Sequence, residues 1–134
     1  MWHGAWCGGN QVPNPRGTNV ILVDPFTCSK QVSRNFDTHI SSAEATRLST
    51  YLQQDVNHGQ IVVVVSADEP RKRLDNALST LRQFGVDVSD LTRRGSFGFV
   101  AQKGFPSKTV LRKVRDEQGT RANPPHFTAA VGGM

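Results

Sequence analysis

Residues 60–66 read Gln-Ile-Val-Val-Val-Val-Ser, and this stretch decides the fold. Its apolar core, residues 61–65, is built entirely from β-branched residues, which favour extended backbone. Because successive side chains of a strand point to opposite faces, an uninterrupted apolar run predicts burial on both faces. We therefore expect residues 60–66 to form the central strand of a sheet.

Upstream of this strand, the pattern predicts a hairpin followed by a helix. Residues 19–24 form an apolar, β-branched run that indicates a buried strand, and residues 31–36 indicate its return strand. Ser41 and Glu44 fit a capping box, so a helix should run from about residue 42 to residue 53 or 54. The apolar face of that helix is expected to hold Ala45, Leu48, Tyr51 and Leu52.

Downstream, a second helix is predicted over residues 72–84, because leucines and alanines recur there at helical spacing and Gly85 suits the position after its end. Residues 95–102 and 109–115 predict two further strands. The resulting order is β-β-α-β-α-β-β. This mixed order predicts an α+β fold, with compact β-sandwich-like sheets and two principal helices.

The length of 134 residues fits one domain with a sizeable core. Residues 1–15 are rich in Gly, Pro and Asn and predict an irregular arm. The folded domain is expected to span residues 16–116. Residues 117–134 contain adjacent prolines and a Gly-Gly end, and they predict an extended tail on the surface.

The formal net charge is +5 and the pI is about 9.8. Lys and Arg are interspersed with Asp and Glu, and the densest basic cluster, residues 71–73, is shorter than the tracts that bind membranes or nucleic acid. No segment has the roughly 20 apolar residues of a transmembrane helix. The first residues lack the order of a signal peptide, so the protein is either cytosolic or begins after a removed signal.

Two cysteines, Cys7 and Cys28, are present at a spacing that is not a zinc pattern. They form either one disulfide or two unrelated thiols. We favour the disulfide, because Cys28 lies in a predicted turn and Cys7 in an arm without another tether. It would close a loop of about 22 residues, stabilise the fold by ~3 kcal/mol, and imply an oxidising compartment.

No pattern in the sequence indicates catalysis, a metal or a cofactor. The four histidines are scattered and form no zinc-protease pair, and there is no nucleophile elbow. Residues 37–39, Asp-Thr-His, are interpreted as a strand end whose side chains bond free backbone amides. The glycines Gly95 and Gly98 lie in a predicted strand, so they do not present a helix terminus to a phosphate.

Nucleic-acid binding is disfavoured as well. Phe97 and Phe99 alternate on a predicted strand beside Arg93 and Arg94, an arrangement that can stack bases. However, two apolar residues on one strand face are more often core, and the aromatic signature of RNA-recognition modules is not reproduced.

Five ordered segments at matching spacing carry a resemblance to a known family. They are residues 16–24, 36–38, 59–65, 68–69 and 94–104. Together they resemble the ILEI/PANDER (interleukin-like EMT inducer) domain. That domain is related to the lectin-like stem domain of protein O-mannose N-acetylglucosaminyltransferase and to domains of cell-surface hyaluronan-degrading proteins. The resemblance implies an α+β fold, an extracellular or lumenal setting, and no enzymatic activity.

The resemblance also implies a sugar site. The positions that match the family's sugar-holding residues are Arg16, Asp68 and Arg94. Their chemistry suits a sugar, because a carboxylate accepts from vicinal hydroxyls and guanidinium groups donate to hydroxyl or carbonyl oxygens. Phe97 or an arm tryptophan is expected to cover the apolar sugar face. The alternative is that Asp68 forms a surface salt bridge with Arg94 or Arg16, worth ~0–1 kcal/mol.

We therefore expect a non-catalytic carbohydrate-binding module that recognises a terminal sugar of a glycan through two arginines and one aspartate. The alternative is a secreted, cytokine-like signalling factor that binds a cell-surface protein receptor. Neither function involves membrane insertion, and both place the protein in a secreted, extracellular or lumenal setting.

Overall fold

The computed structural model describes residues 3–4, 10–11, 16–27, 30–67, 70–91 and 95–114. These residues form an α+β fold, as predicted. The strands are β1 (His3–Gly4), β2 (Asn10–Gln11), β3 (Gly17–Val23), β4 (Lys30–Phe36), β5 (Ile61–Ala67), β6 (Ser96–Gln102) and β7 (Val110–Val114). The helices are α1 (Ser42–Gln54) and α2 (Leu78–Gln83).

The main sheet has five strands in the order β4-β3-β5-β6-β7, and every neighbouring pair is antiparallel. β5 lies in the middle, which confirms the prediction from its apolar run. β3 and β4 form the predicted hairpin, with Thr18 opposite Phe36. The strands β1 and β2 pair with each other as a separate two-stranded ribbon within the predicted arm.

Both faces of the central strands are buried. On one face, Val20, Val64 and Phe99 join the side chains of the helices in the main hydrophobic core. On the other face, Ile21, Val63 and their neighbours are also at most 4% exposed. This two-sided burial explains why β5 has no polar residue between Ile61 and Val65.

Helix α1 has the predicted bounds, but only the Ser41 half of the predicted capping box is formed, because the carboxylate of Glu44 pairs with Arg47 at 2.7 Å. The Oγ of Ser41 accepts from the backbone N–H of Ala43 at 3.1 Å and caps the first turn. The four residues predicted to form the apolar face are all buried: Ala45, Leu48, Tyr51 and Leu52.

The C-terminal end of α1 is completed by a distant residue. The Nζ of Lys103, in the turn after β6, donates to the carbonyl oxygens of Leu52 (3.0 Å), Gln53 (2.7 Å) and Val56 (2.7 Å). The last turn of α1 contains no basic residue of its own. Lys103 therefore supplies the positive charge that the negative end of a helix favours.

The predicted second helix is wrong in its first half. Residues 70–73 and 75–77 are 3-10 turns, and regular α-helix begins only at Leu78. The backbone N–H groups of Leu74 and Ala77 donate to the carbonyls three residues back, those of Arg71 (3.3 Å) and Leu74 (2.9 Å), as in 3-10 geometry. The N–H of Arg73 donates to the distant carbonyl of Thr38 at 2.9 Å. Gly85 follows the helix with φ +83°, as predicted for the residue after a helix end.

Several sequence predictions lie outside the described residues. The Cys7–Cys28 disulfide and the tail at residues 117–134 are among them. The boundaries of the three predicted segments, 1–15, 16–116 and 117–134, remain predictions.

Candidate functional site

Arg16 lies at the start of β3, where it forms an ion pair with Asp37 at the end of β4. The guanidinium donates through Nε to both carboxylate oxygens, at 3.2 Å each, and through one terminal nitrogen to Oδ2 at 2.8 Å. The side chains are 39% and 25% exposed, respectively. Arg16 is therefore oriented by a two-oxygen contact while part of its side chain still reaches solvent.

Asp37 is itself held by the turn that leads into α1. Its Oδ1 accepts from the backbone N–H groups of His39 and Ile40, both at 3.3 Å. The hydrogen bond from Arg16 lowers the pKa of the Asp37 carboxyl below its ordinary value, and burial partly opposes this shift. The geometry confirms the interpretation of residues 37–39 as a strand end whose side chains bond backbone amides.

Three further hydrogen bonds tie β3 to β4 and to the turn after β4 at this end of the sheet. The hydroxyls of Thr18 and Thr38 are buried and lie 3.0 Å apart. The side-chain amide of Asn35 donates to the carbonyl of Arg16 at 3.0 Å and to Oδ1 of Asn19 at 2.9 Å. The backbone beneath the Arg16 side chain is therefore anchored to its neighbouring strand.

Asp68 and Arg94, the other predicted sugar contacts, lie outside the described residues. Asp68 follows Ala67 in the sequence, and Ala67 pairs with Gly17, the neighbour of Arg16. Arg94 precedes Gly95 at the start of β6, where the N–H of Phe97 donates to Oγ of Ser66 at 2.8 Å. The sequence neighbours of all three predicted residues thus lie at one end of the sheet; the convergence of their side chains remains a prediction.

Phe97 requires a correction. It is 0% exposed, so it cannot serve as a platform for a bound sugar. The reason is strand alternation, which turns Phe97 and Phe99 to the same face, where their rings stack at 6.5 Å within the main core. This position agrees with the interpretation of the two phenylalanines as core residues. The arm tryptophans, Trp2 and Trp6, lie outside the described residues.

A second polar region, missed by the sequence analysis, is a groove of about 590 Å³ between β4 and α1. We call it the arginine groove. Its lining consists of Ser33, Arg34, Asn35, Phe36, Thr46, Arg47, Thr50, Tyr51 and Asp55.

Two aromatic rings and two guanidinium groups are arranged together in the arginine groove. The rings of Phe36 and Tyr51 are 5.5 Å apart. The guanidinium carbon of Arg34 lies 5.9 Å from the Tyr51 ring centre, and that of Arg47 lies 6.0 Å from the Phe36 ring centre. The sequence signals for this arrangement are the alternation of β4 and the helical spacing of α1. These local patterns do not predict which residues of the two elements come into contact.

Tyr51 is 8% exposed, and within the described residues its hydroxyl lies near Arg34 but makes no hydrogen bond of standard geometry. Burial raises the pKa of this hydroxyl above its ordinary value, while the nearby Arg34 opposes the shift. The hydroxyl is therefore protonated at neutral pH and able to donate a hydrogen bond.

Neither a metal site nor a membrane span emerges from the described part of the chain. No cluster of three or more His, Cys, Asp or Glu side chains within it has a geometry that could hold a metal ion. The helices in these ranges are too short or too polar to cross a bilayer.

A comparison with curated proteins finds none that matches the chain. The model of the interleukin-like EMT inducer family, by contrast, matches residues 16–105, which begin at the Arg16 end of β3 and end just after Lys103 and Gly104. The match covers more than half of the chain and contains the five-segment pattern found in the sequence. The protein therefore belongs to the interleukin-like EMT inducer family.

Proposed function

We propose that this protein is a non-catalytic carbohydrate-binding module, and that Arg16, Asp68 and Arg94 hold a sugar at one end of its sheet. The observation that carries the proposal is the oriented guanidinium of Arg16. Both carboxylate oxygens of Asp37 hold this guanidinium in place, and the Arg16 side chain remains 39% exposed. It lies beside the strand ends that lead to Asp68 and Arg94.

The chemistry of this end of the sheet supports sugar recognition. A sugar ring offers hydroxyls that both donate and accept, and charged side chains with fixed geometry discriminate among them. Asp37 acts as a positioning residue, because it reduces the number of conformations that Arg16 would lose on binding. The proposal places the protein in an extracellular or lumenal setting, in line with the expected Cys7–Cys28 disulfide; two unmodified thiols under non-reducing mass analysis would count against that setting.

A glycan array on the purified chain tests the proposal. We expect a defined set of glycans to bind, and each of Arg16→Ala, Asp68→Ala and Arg94→Ala to weaken binding roughly tenfold or more. Arg82→Ala is the matched control, because Arg82 is a half-exposed arginine on α2 that contacts Asp87 only at 3.9 Å. Failure of the wild-type protein to bind any glycan, or wild-type binding by all three variants, would exclude the proposed site.

The second candidate function is that of a cytokine-like factor that binds a protein receptor. The arginine groove favours it, because the groove lies beside the edge of β4, which in the described residues pairs only with β3 and on which another polypeptide can pair.

A further inference from the structure

β4 is an outer strand of the main sheet. In the described part of the chain it pairs only with β3, so the backbone groups on its other side have no strand partner. Ser33, Arg34 and Asn35 are exposed along it. An unpaired strand edge is a template on which an extended segment can form backbone hydrogen bonds.

The arginine groove follows this edge. Four consecutive residues of β4, Ser33 to Phe36, line it, although alternate side chains of a strand point to opposite faces. The groove therefore includes the backbone edge of β4 and is not confined to one face of the sheet. Its other wall extends along α1 from Thr46 to Asp55, a length of roughly 13 Å, which matches about four residues of extended chain.

The charge of the groove selects an acidic occupant. No salt bridge joins Arg34 to any residue in the described ranges; its guanidinium lies over the Tyr51 ring. Arg47 is 69% exposed and forms an i,i+3 ion pair with Glu44 at 2.7 Å. Of the nine lining residues, Asp55 alone carries a carboxylate, and Glu44, outside the lining, already pairs with Arg47. Arg34 is therefore the guanidinium of the groove that has no carboxylate partner in the described residues.

The buried hydroxyl of Tyr51 lies near Arg34 but makes no well-aligned hydrogen bond within the described residues. A buried polar atom without a well-aligned hydrogen bond is destabilising, and this one belongs to a side chain that lines the groove. A carbonyl or carboxylate oxygen of a bound segment would accept its hydrogen bond.

We propose that the arginine groove binds an extended acidic segment of a partner protein, which pairs with the edge of β4 and places a carboxylate between Arg34 and Arg47. The backbone edge favours a polypeptide over an acidic sugar, because only a polypeptide repeats N–H and C=O groups at the spacing of a strand. This surface does not depend on sugar binding at Arg16.

The test uses a fluorescent octapeptide in which glutamate alternates with valine, and it measures affinity by fluorescence polarisation. We expect the peptide to bind the wild-type chain, and we expect roughly tenfold weaker binding by Arg34→Ala and by Arg47→Ala. Arg82→Ala should bind as the wild type does, because it removes the same charge from α2, outside the groove.

Two matched peptides separate the parts of the proposal. Replacement of glutamate by glutamine should abolish the dependence on Arg34, and N-methylation of alternate backbone amides should weaken binding at least tenfold by removing strand pairing. Equal binding of the methylated peptide, or equal losses in Arg34→Ala and Arg82→Ala, would overturn the proposal. Binding of a uronate oligosaccharide, dependent on Arg34, in the absence of peptide binding would also overturn it and identify the groove as a second glycan site.

Discussion

Arg16 and Arg34 lie near the same strand but are held in different ways. Arg16 is oriented by the carboxylate of Asp37, which also accepts two backbone hydrogen bonds. Arg34 lies over the ring of Tyr51, and no carboxylate within the described residues pairs with it. The difference indicates that the pair of Arg16 and Asp37 is part of the folded framework. In the arginine groove, by contrast, the charge of Arg34 and the hydroxyl of Tyr51 contribute little to the fold.

The energies of the two arrangements follow the same contrast. A partly exposed ion pair contributes ~0–1 kcal/mol alone, but Asp37 also closes the turn into α1, so its contacts act as a unit. An exposed guanidinium that lies over an aromatic ring, as Arg34 does, contributes roughly 0.5–1 kcal/mol. Substitutions at the sheet end should therefore affect stability, whereas substitutions in the groove should chiefly affect binding.

The largest effect is expected from Gly17→Ala, which should break the sheet end. Gly17 has φ +107°, and a Cβ there would lie 2.4 Å from the carbonyl oxygen of Phe36 and 2.8 Å from Cα of Asp37. Both are backbone atoms that cannot rotate away. We expect the free energy of unfolding, measured by urea denaturation, to fall by about 3 kcal/mol or more.

Gly59→Ala is the matched control for this prediction. Gly59 also has a positive φ, +86°, but apart from its chain neighbours no atom lies within 4 Å of the position that a Cβ would occupy. We expect a loss of only about 1–2 kcal/mol from the backbone conformation. Equal losses in the two variants would show that Gly17 is required for its φ alone and not for the close approach of β4.

Asp37→Asn should have an intermediate effect and isolate the charge of the Arg16 pair. Asparagine keeps an oxygen for the N–H groups of His39 and Ile40 but removes the carboxylate that Arg16 contacts. We expect the free energy of unfolding at pH 7 and low salt to fall by about 0.5–1 kcal/mol, measured by urea denaturation.

The pH dependence of that difference has a defined sign. The pKa of Asp37 is lowered from 3.8 in the folded protein. Its stabilising contribution is therefore fully present above the unfolded-state pKa and is lost as the pH falls through the lower, folded-state pKa. The stability difference between the wild type and Asp37→Asn should begin to shrink below about pH 4 and disappear only below the folded-state pKa of Asp37; a difference that grows in acid would contradict the assignment.

The smallest effect is expected from Tyr51→Phe in the arginine groove. The Tyr51 hydroxyl is buried and makes no well-aligned hydrogen bond within the described residues, so its removal should change the free energy of unfolding by only a few tenths of a kcal/mol, or increase it. Thr18→Val is the matched comparison, since it leaves the buried hydroxyl of Thr38 without its partner and should cost about 1–2 kcal/mol. A comparable loss in Tyr51→Phe would show that the hydroxyl supports the fold.

The sequence predicts those elements whose pattern is dominated by burial. Residues 61–65 and the apolar face of α1 have local patterns that tertiary contacts reinforce. The prediction is wrong at residues 70–77, which form 3-10 turns and are tied by the N–H of Arg73 to the carbonyl of Thr38, more than 30 residues away in the sequence. Local helical spacing contains no information about such a partner.

The candidate site divides in the same way. The family pattern identifies Arg16, Asp68 and Arg94. In the structure, Arg16 and the sequence neighbours of the other two residues lie at one end of the sheet. The prediction of Phe97 as a surface platform rests on its aromatic type, which suits a sugar, but type alone does not fix which strand face is buried. The sequence does not predict that Arg16 pairs with Asp37 or that Arg34 contacts Tyr51. Both contacts depend on the register of β3 with β4 and on the packing of α1, which no single motif encodes.

Lys103 links events that are far apart in the chain. Its ammonium group binds carbonyls about 50 residues upstream, so the last turn of α1 gains this support only after β6 has joined β5. Early in folding, that turn is expected to fray, and in the native state it should open together with β6 as one cooperative unit. A fragment that stops before residue 103 would thus contain every residue of α1 and still lack the group that completes the helix.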